Sequence, residues 1–106
     1  MKLPRGAIIP TEKITAYLLV ERRHSDKARF LAKAGFTQDN PSVLEQAIRD
    51  LIASNEAMID RRDEYGIFYQ VNGALVGPSG RLEVVTIWLK RAVDGELRFV
   101  TLKPRR

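Results

Sequence analysis

The feature that most constrains this chain is a change of character near Asn55. The first half carries helical periodicity. The second half, "AMIDRRDEYGIFYQVNGALVGPSGRLEVVTIWLKRAVDGELRFVTLKP", is rich in β-branched and aromatic residues and cut by turn signals at "DEYG", "GPSG" and "VDGE". Asp94-Gly95 is expected in a tight hairpin turn. Four strands follow, near 56–62, 66–76, 81–91 and 96–103, joined as an antiparallel meander. Helices first, strands later and no βαβ alternation mean an α+β fold, not α/β.

In the first half, Thr11 is an expected N-cap with Glu12 in the first turn, and Ile14, Tyr17 and Leu18 keep helical spacing. A charged hinge, "ERRHSDK", interrupts that pattern. A second helix is expected to start at Ser25 as N-cap and to stop at Gly35, a C′ glycine, burying Ala28, Leu31 and Ala34 with Phe30. "DNPSVLEQAIRDLIASN" carries the clearest helix, with Asn40 as N-cap and Pro41 at the first helical position. Leu44, Ala47, Ile48, Leu51 and Ile52 form its apolar face. The expected architecture is two or three helices, about 11–55, on one face of a four-stranded sheet, about 56–103. No linker or repeat divides the 106 residues, so one domain is expected.

Strand three poses a choice of face. "VVTIWLKR" places Val85, Ile87 and Leu89 on one side and Val84, Thr86, Trp88 and Lys90 on the other. The first set is read as the core stripe. The second, with the only tryptophan beside a hydroxyl and a cation, is then the open and working face.

Composition narrows the function classes. With 29% charged residues and no long apolar run, a membrane span is excluded, and "MKLPRGAIIP" is not a signal peptide. There is no cysteine and a single histidine, so neither a disulfide framework nor a thiolate metal site is available, and no cofactor is expected. A cytoplasmic location follows as the simplest expectation. A formal charge of +5 favours polyanions, RNA among them, or an acidic protein surface. No phosphate loop precedes a helix, and "GPSG" reads as a turn.

Two constellations remain. Arg22, Arg23, His24, Lys27 and Arg29 crowd the junction of the first two helices, a place that suits a phosphate and equally a solvated hinge. Thr86, Trp88 and Lys90, with Arg98 or Thr101 and Lys103 beside them, would suit a base-stacking platform if the tryptophan is exposed, or ordinary packing if it is not.

Taken in order, "IIPTEKITAYLL", "DKARFLAKAGFT", "LEQAIR", "YGIFYQVNGALVGPSGR", "VVTIWL" and "RFVTL" resemble a family of small bacterial proteins known as a domain of unknown function. Members look as if they are encoded beside a second short protein, as toxin–antitoxin pairs are, so the resemblance implies a small cognate partner. A looser similarity, carried by Lys27-Ala28, runs to the RNase toxin superfamily that groups barnase, EndoU, colicin nuclease domains and RelE-type toxins. Some relatives carry a His-x-x-Gly-x-x-Lys-Ala pattern ahead of the second helix that looks like the entry to this superfamily. Here only its Lys-Ala end is present, and His24 lies too close to Lys27 to be the same histidine. The similarity implies metal-independent RNA cleavage. Lys27, Thr86 and His24 are its candidate catalytic residues, and Trp88, Arg62, Lys90 and Arg98 its candidate substrate contacts. Tyr65, Tyr69 and Glu83 are further choices for acid and base. The alternatives are a non-catalytic protein-binding module of a two-protein complex and a sequence-nonspecific nucleic-acid binder. Oligomeric state is not legible.

Overall fold

A computed structural model describes residues 1–20 and 27–105. Helix α1 (Thr11–Lys13) continues into a π-helical stretch, Ile14–Leu18, closed by the Leu19 N–H donating to the Ile14 carbonyl at 3.0 Å. The wider turn puts Ile14, Leu18 and Leu19 together in the core. It leaves Lys13 and Tyr17 on the flank, with the Lys13 ammonium 5.5 Å from the Tyr17 ring centroid. π-turns of this kind recur at functional sites.

Helix α2 (Lys27–Ala32) buries Leu31, and the chain turns at Gly35, whose φ of +91° marks the expected C-terminal glycine. The Ser25 cap and the Arg22, Arg23 and His24 positions lie outside the described residues. Helix α3 (Pro41–Ser54) starts with Pro41, as expected, and buries the five-residue face read from the sequence. Asn40 occupies the N-cap position, as expected, but its side chain makes no capping bond. Its side-chain oxygen accepts from the Thr37 N–H at 2.8 Å and its amide donates to the Gly35 carbonyl at 2.9 Å. The competing loop bonds take the side chain away from the helix.

Strands β1 (Ala57–Asp63), β2 (Gly66–Gly77), β3 (Gly80–Arg91) and β4 (Leu97–Pro104) form one antiparallel sheet in chain order, with α3 packed against it. The fold is α+β, and each strand falls within about a residue of its sequence limits. The N-terminal segment is tied to both sides of the sheet: Ala57 N–H donates to the Met1 carbonyl, and Ile8 pairs with β4 through Leu97 and Phe99. Gly77 carries no side chain because a Cβ there would strike the Ala34 carbonyl and the Phe36 ring, so the β2–β3 hairpin packs directly against the end of α2.

The sheet's covered face is the reverse of the sequence expectation. Val84, Thr86 and Trp88 are fully buried, whereas Val85, Ile87 and Leu89 are half-buried on the side away from the helices. Polarity is what misled the reading, and two hydrogen bonds remove it. The Trp88 Nε1–H donates to the Thr86 hydroxyl at 2.9 Å, which in turn donates to the Val71 carbonyl at 2.9 Å. Once satisfied, both groups can be buried at little cost. The indole then supplies the largest apolar payload of the strand and meets Phe99 edge-on, with centroids 5.3 Å apart and planes at 75°. Thr86→Val keeps the shape but leaves the indole N–H unpaired. We expect a loss of about 1–3 kcal/mol in chemical denaturation.

On β2, Tyr69, Val71 and Leu75 face the helices. Phe68 faces the other way and is buried beneath the Arg61 guanidinium, 4.2 Å from its ring centroid. Among the described residues no helix is long and apolar enough to cross a membrane.

Candidate functional site

Lys27 is the first residue of α2 and is half-buried between the π-helical stretch and β4. Its ammonium donates to the Tyr17 hydroxyl at 2.9 Å and to the Thr101 hydroxyl at 2.8 Å, and lies 5.0 Å from the Tyr17 ring centroid. The two hydroxyls are 3.4 Å apart. Three elements distant in sequence thus bring an amine, a phenol and an alcohol to one point at the β4 edge. β4 bulges just there, its pairing with β3 shifting between Ile87 and Trp88, and bulges commonly re-aim a side chain.

The cluster changes the chemistry of the phenol. The Lys27 hydrogen bond, then that of Thr101, holds Tyr17 below the ordinary tyrosine value of 10.0; the Lys27 and Lys13 charges add to this, and partial burial opposes it. A lowered acid pKa in the folded state adds stability that is complete above the unfolded value and vanishes as pH falls through the folded one. The Tyr17 anion therefore forms at lower pH than that of a free tyrosine. An ultraviolet titration should show one tyrosine ionising early, absent in Tyr17→Phe and moved upward in Lys27→Met. Unchanged curves in both variants would contradict this electrostatic account.

The structure does not bring the other expected site residues to this point. Thr86 and Trp88 are in the core, so the indole cannot serve as a stacking surface in this fold. Arg62 is exposed on β1, the sheet edge opposite β4. Lys90 is exposed at the rim, beside a cavity of about 220 Å³ with Tyr69 and Leu97. Arg98 lies on β4, but its guanidinium is bound to the Glu96 carboxylate. His24 is outside the described residues. Among the described residues no group of three or more His, Cys, Asp and Glu side chains could hold a metal ion.

Tyr17 belongs to this cluster, whereas in the sequence it stands out only as part of a helix. The signal available was its position four residues after Lys13, on the same flank of the helix. Thr101 stands out in the sequence only as a neighbour of Lys103 beside the expected open face.

On the helix-free face of the sheet, two cross-strand rows adjoin the cluster: Gln70, Ile87 and Thr101, then Asn72, Val85 and Lys103. The Asn72 carboxamide oxygen is shielded from water and has no hydrogen-bond partner among the described residues. A buried acceptor left in that state costs about 1–3 kcal/mol.

The family model of the domain of unknown function DUF6883 matches residues 2–106. The chain belongs to that family. No curated protein matches it.

Proposed function

We propose that this DUF6883 protein acts on RNA and that Lys27, Tyr17 and Thr101 form a metal-independent phosphodiester-cleaving site, as in the toxin half of a toxin–antitoxin-type pair. The observation that carries the reading is the Lys27 ammonium shared between the Tyr17 phenol and the Thr101 hydroxyl. It sets a cation beside a group that can exchange a proton, which is what attack by a ribose 2′-OH requires.

In this reading the Tyr17 anion takes the 2′-OH proton as O2′ bonds to phosphorus. The P–O5′ bond breaks, and Lys27 gives a proton to the departing O5′, recovering one from Tyr17 across their contact. Thr101 donates to a non-bridging oxygen. The products are a 2′,3′-cyclic phosphate and a 5′-hydroxyl. Because the reactive phenol is the anion, the rate should rise with pH as Tyr17 ionises, and fall again where Lys27 loses the proton it must donate.

The product ends test this chemistry. With chelator present, an RNA oligomer should yield cyclic-phosphate ends, and the same oligomer with a 2′-deoxy residue at the scissile position should stay intact. Equal cutting of the deoxy oligomer would rule out the 2′-OH mechanism.

A second reading, docking of a partner protein, is favoured by β1. This edge strand exposes Met58 and Ile59, 53% and 50% accessible, and an unpaired strand edge accepts another strand. A complex formed there should survive Lys27→Ala and weaken with Ile59→Lys in co-purification at mild salt.

A further inference from the structure

The helix-free face holds an open cavity of about 470 Å³ bounded by Gln70, Asn72, Val85, Lys103, Pro104 and Arg105. We propose that it is a nucleobase subsite that gives the RNA-directed site its sequence preference, an inference that rests on the function proposed above.

Position is the first argument. The Asn72–Val85–Lys103 row lies next to the Gln70–Ile87–Thr101 row on the same face. Neighbouring rows are about 7 Å apart along a strand, so the cavity is one row from the hydroxyl that contacts Lys27. A nucleotide whose phosphate meets Lys27, Tyr17 and Thr101 can place an adjoining base here without a bend in the protein.

Chemistry is the second. Gln70 and Asn72 each carry a donor and an acceptor side by side, which matches the paired groups on the edge of a base and not a simple anion. Asn72 borders the cavity, and its carboxamide oxygen has no hydrogen-bond partner among the described residues. Val85 supplies an apolar floor against which a base can lie. Lys103 and Arg105 are exposed and make no ion pair among the described residues, so they are free to meet phosphate. The Arg105 N–H donates to the Glu83 carbonyl at 2.9 Å, which fixes the backbone of that cation at the cavity rim. An extended peptide would pair with a strand edge, whereas this cavity lies on a sheet face and offers side-chain groups.

The test uses fluorescence anisotropy with labelled single-stranded 2′-O-methyl homopolymers of A, C, G and U, which lack the attacking hydroxyl and so are bound without being cut. Wild type should separate the best from the worst oligomer by about 5- to 100-fold, as good base contacts do. Gln70→Ala and Asn72→Ala, each checked for an unchanged thermal transition, should bring the four affinities to within about twofold of one another. Lys27→Ala should weaken all four by a similar factor and keep their ratios, and Lys103→Ala should lower the salt slope by about one. If wild type binds and discriminates while both amide variants retain the same ratios, the cavity does not read a base and only this inference falls. Uniform binding of all four by wild type has the same consequence. If wild type binds none of them, the RNA-directed function falls and takes this inference with it.

Discussion

Trp88→Ala is expected to destabilise the protein by about 3–5 kcal/mol, the largest single loss from the core. The indole is fully buried, stands edge-on to Phe99 and closes the hydrogen-bond chain from its own N–H through Thr86 to the Val71 carbonyl. Its removal leaves a cavity between sheet and helices and leaves the Thr86 hydroxyl with an unused acceptor. A domain of this size has about 5–15 kcal/mol in total, so the variant should unfold at low urea, followed by circular dichroism. Trp88→Phe separates the terms. It keeps most of the ring contact, loses the N–H bond and should cost about 1–2 kcal/mol. Wild-type indole fluorescence should be blue-shifted, protected from acrylamide and unaltered by RNA. A readily quenched indole, or a Trp88→Ala variant as stable as wild type, would contradict the assignment of the covered face.

Lys27→Ala should lower RNA cleavage by about 10²–10³-fold, the usual consequence of removing one donor aimed at developing charge. The loss should be larger than for Thr101→Val, because the amine both bonds the Tyr17 phenol and carries the charge that lowers its pKa. Lys27→Arg keeps the charge but not the compact donor, and is expected to restore only part of the rate. Thermal stability should change little in either variant, since the amine is half-buried at an edge and not in the core. A fall in rate that merely tracked a fall in folded fraction would assign Lys27 a structural role. In cells, expression of wild type should slow growth, and Lys27→Ala should relieve it.

The fold was legible because its signals are local. Turn residues at Asp63–Gly66, Gly77–Gly80 and Asp94–Gly95 delimit the strands, and the apolar spacing of α3 needs no partner to be recognised. The face of β3 was not legible, since Thr86 and Trp88 become core residues only through bonds to each other and to Val71 on β2. Cross-strand register supplies those bonds, and a single strand does not encode it. The π-helical turn escaped for a similar reason: Ile14, Tyr17 and Leu18 fit an ordinary helix, and the choice is made by the packing of Leu18 and Leu19.

The site was half legible. Lys27 stood out as a cation at the start of a helix, but its partners are separated from it by 10 and 74 residues, and only the folded β4 edge brings Thr101 to it. Trp88, by contrast, carried the right chemistry for nucleic acid and the wrong location. Arg62 and Arg98 stand out in the sequence by charge alone. One sits on the opposite sheet edge and the other is neutralised by Glu96. Charge and residue type identify candidates, whereas burial and pairing decide among them.

The most direct measurement is a time course of total RNA with purified wild type and with Lys27→Ala, chelator present throughout, read on a denaturing gel. The account predicts discrete cleavage by wild type and intact RNA with the variant over the same period. Intact RNA with folded, partner-free wild type would contradict it, as would equal cleavage by both proteins.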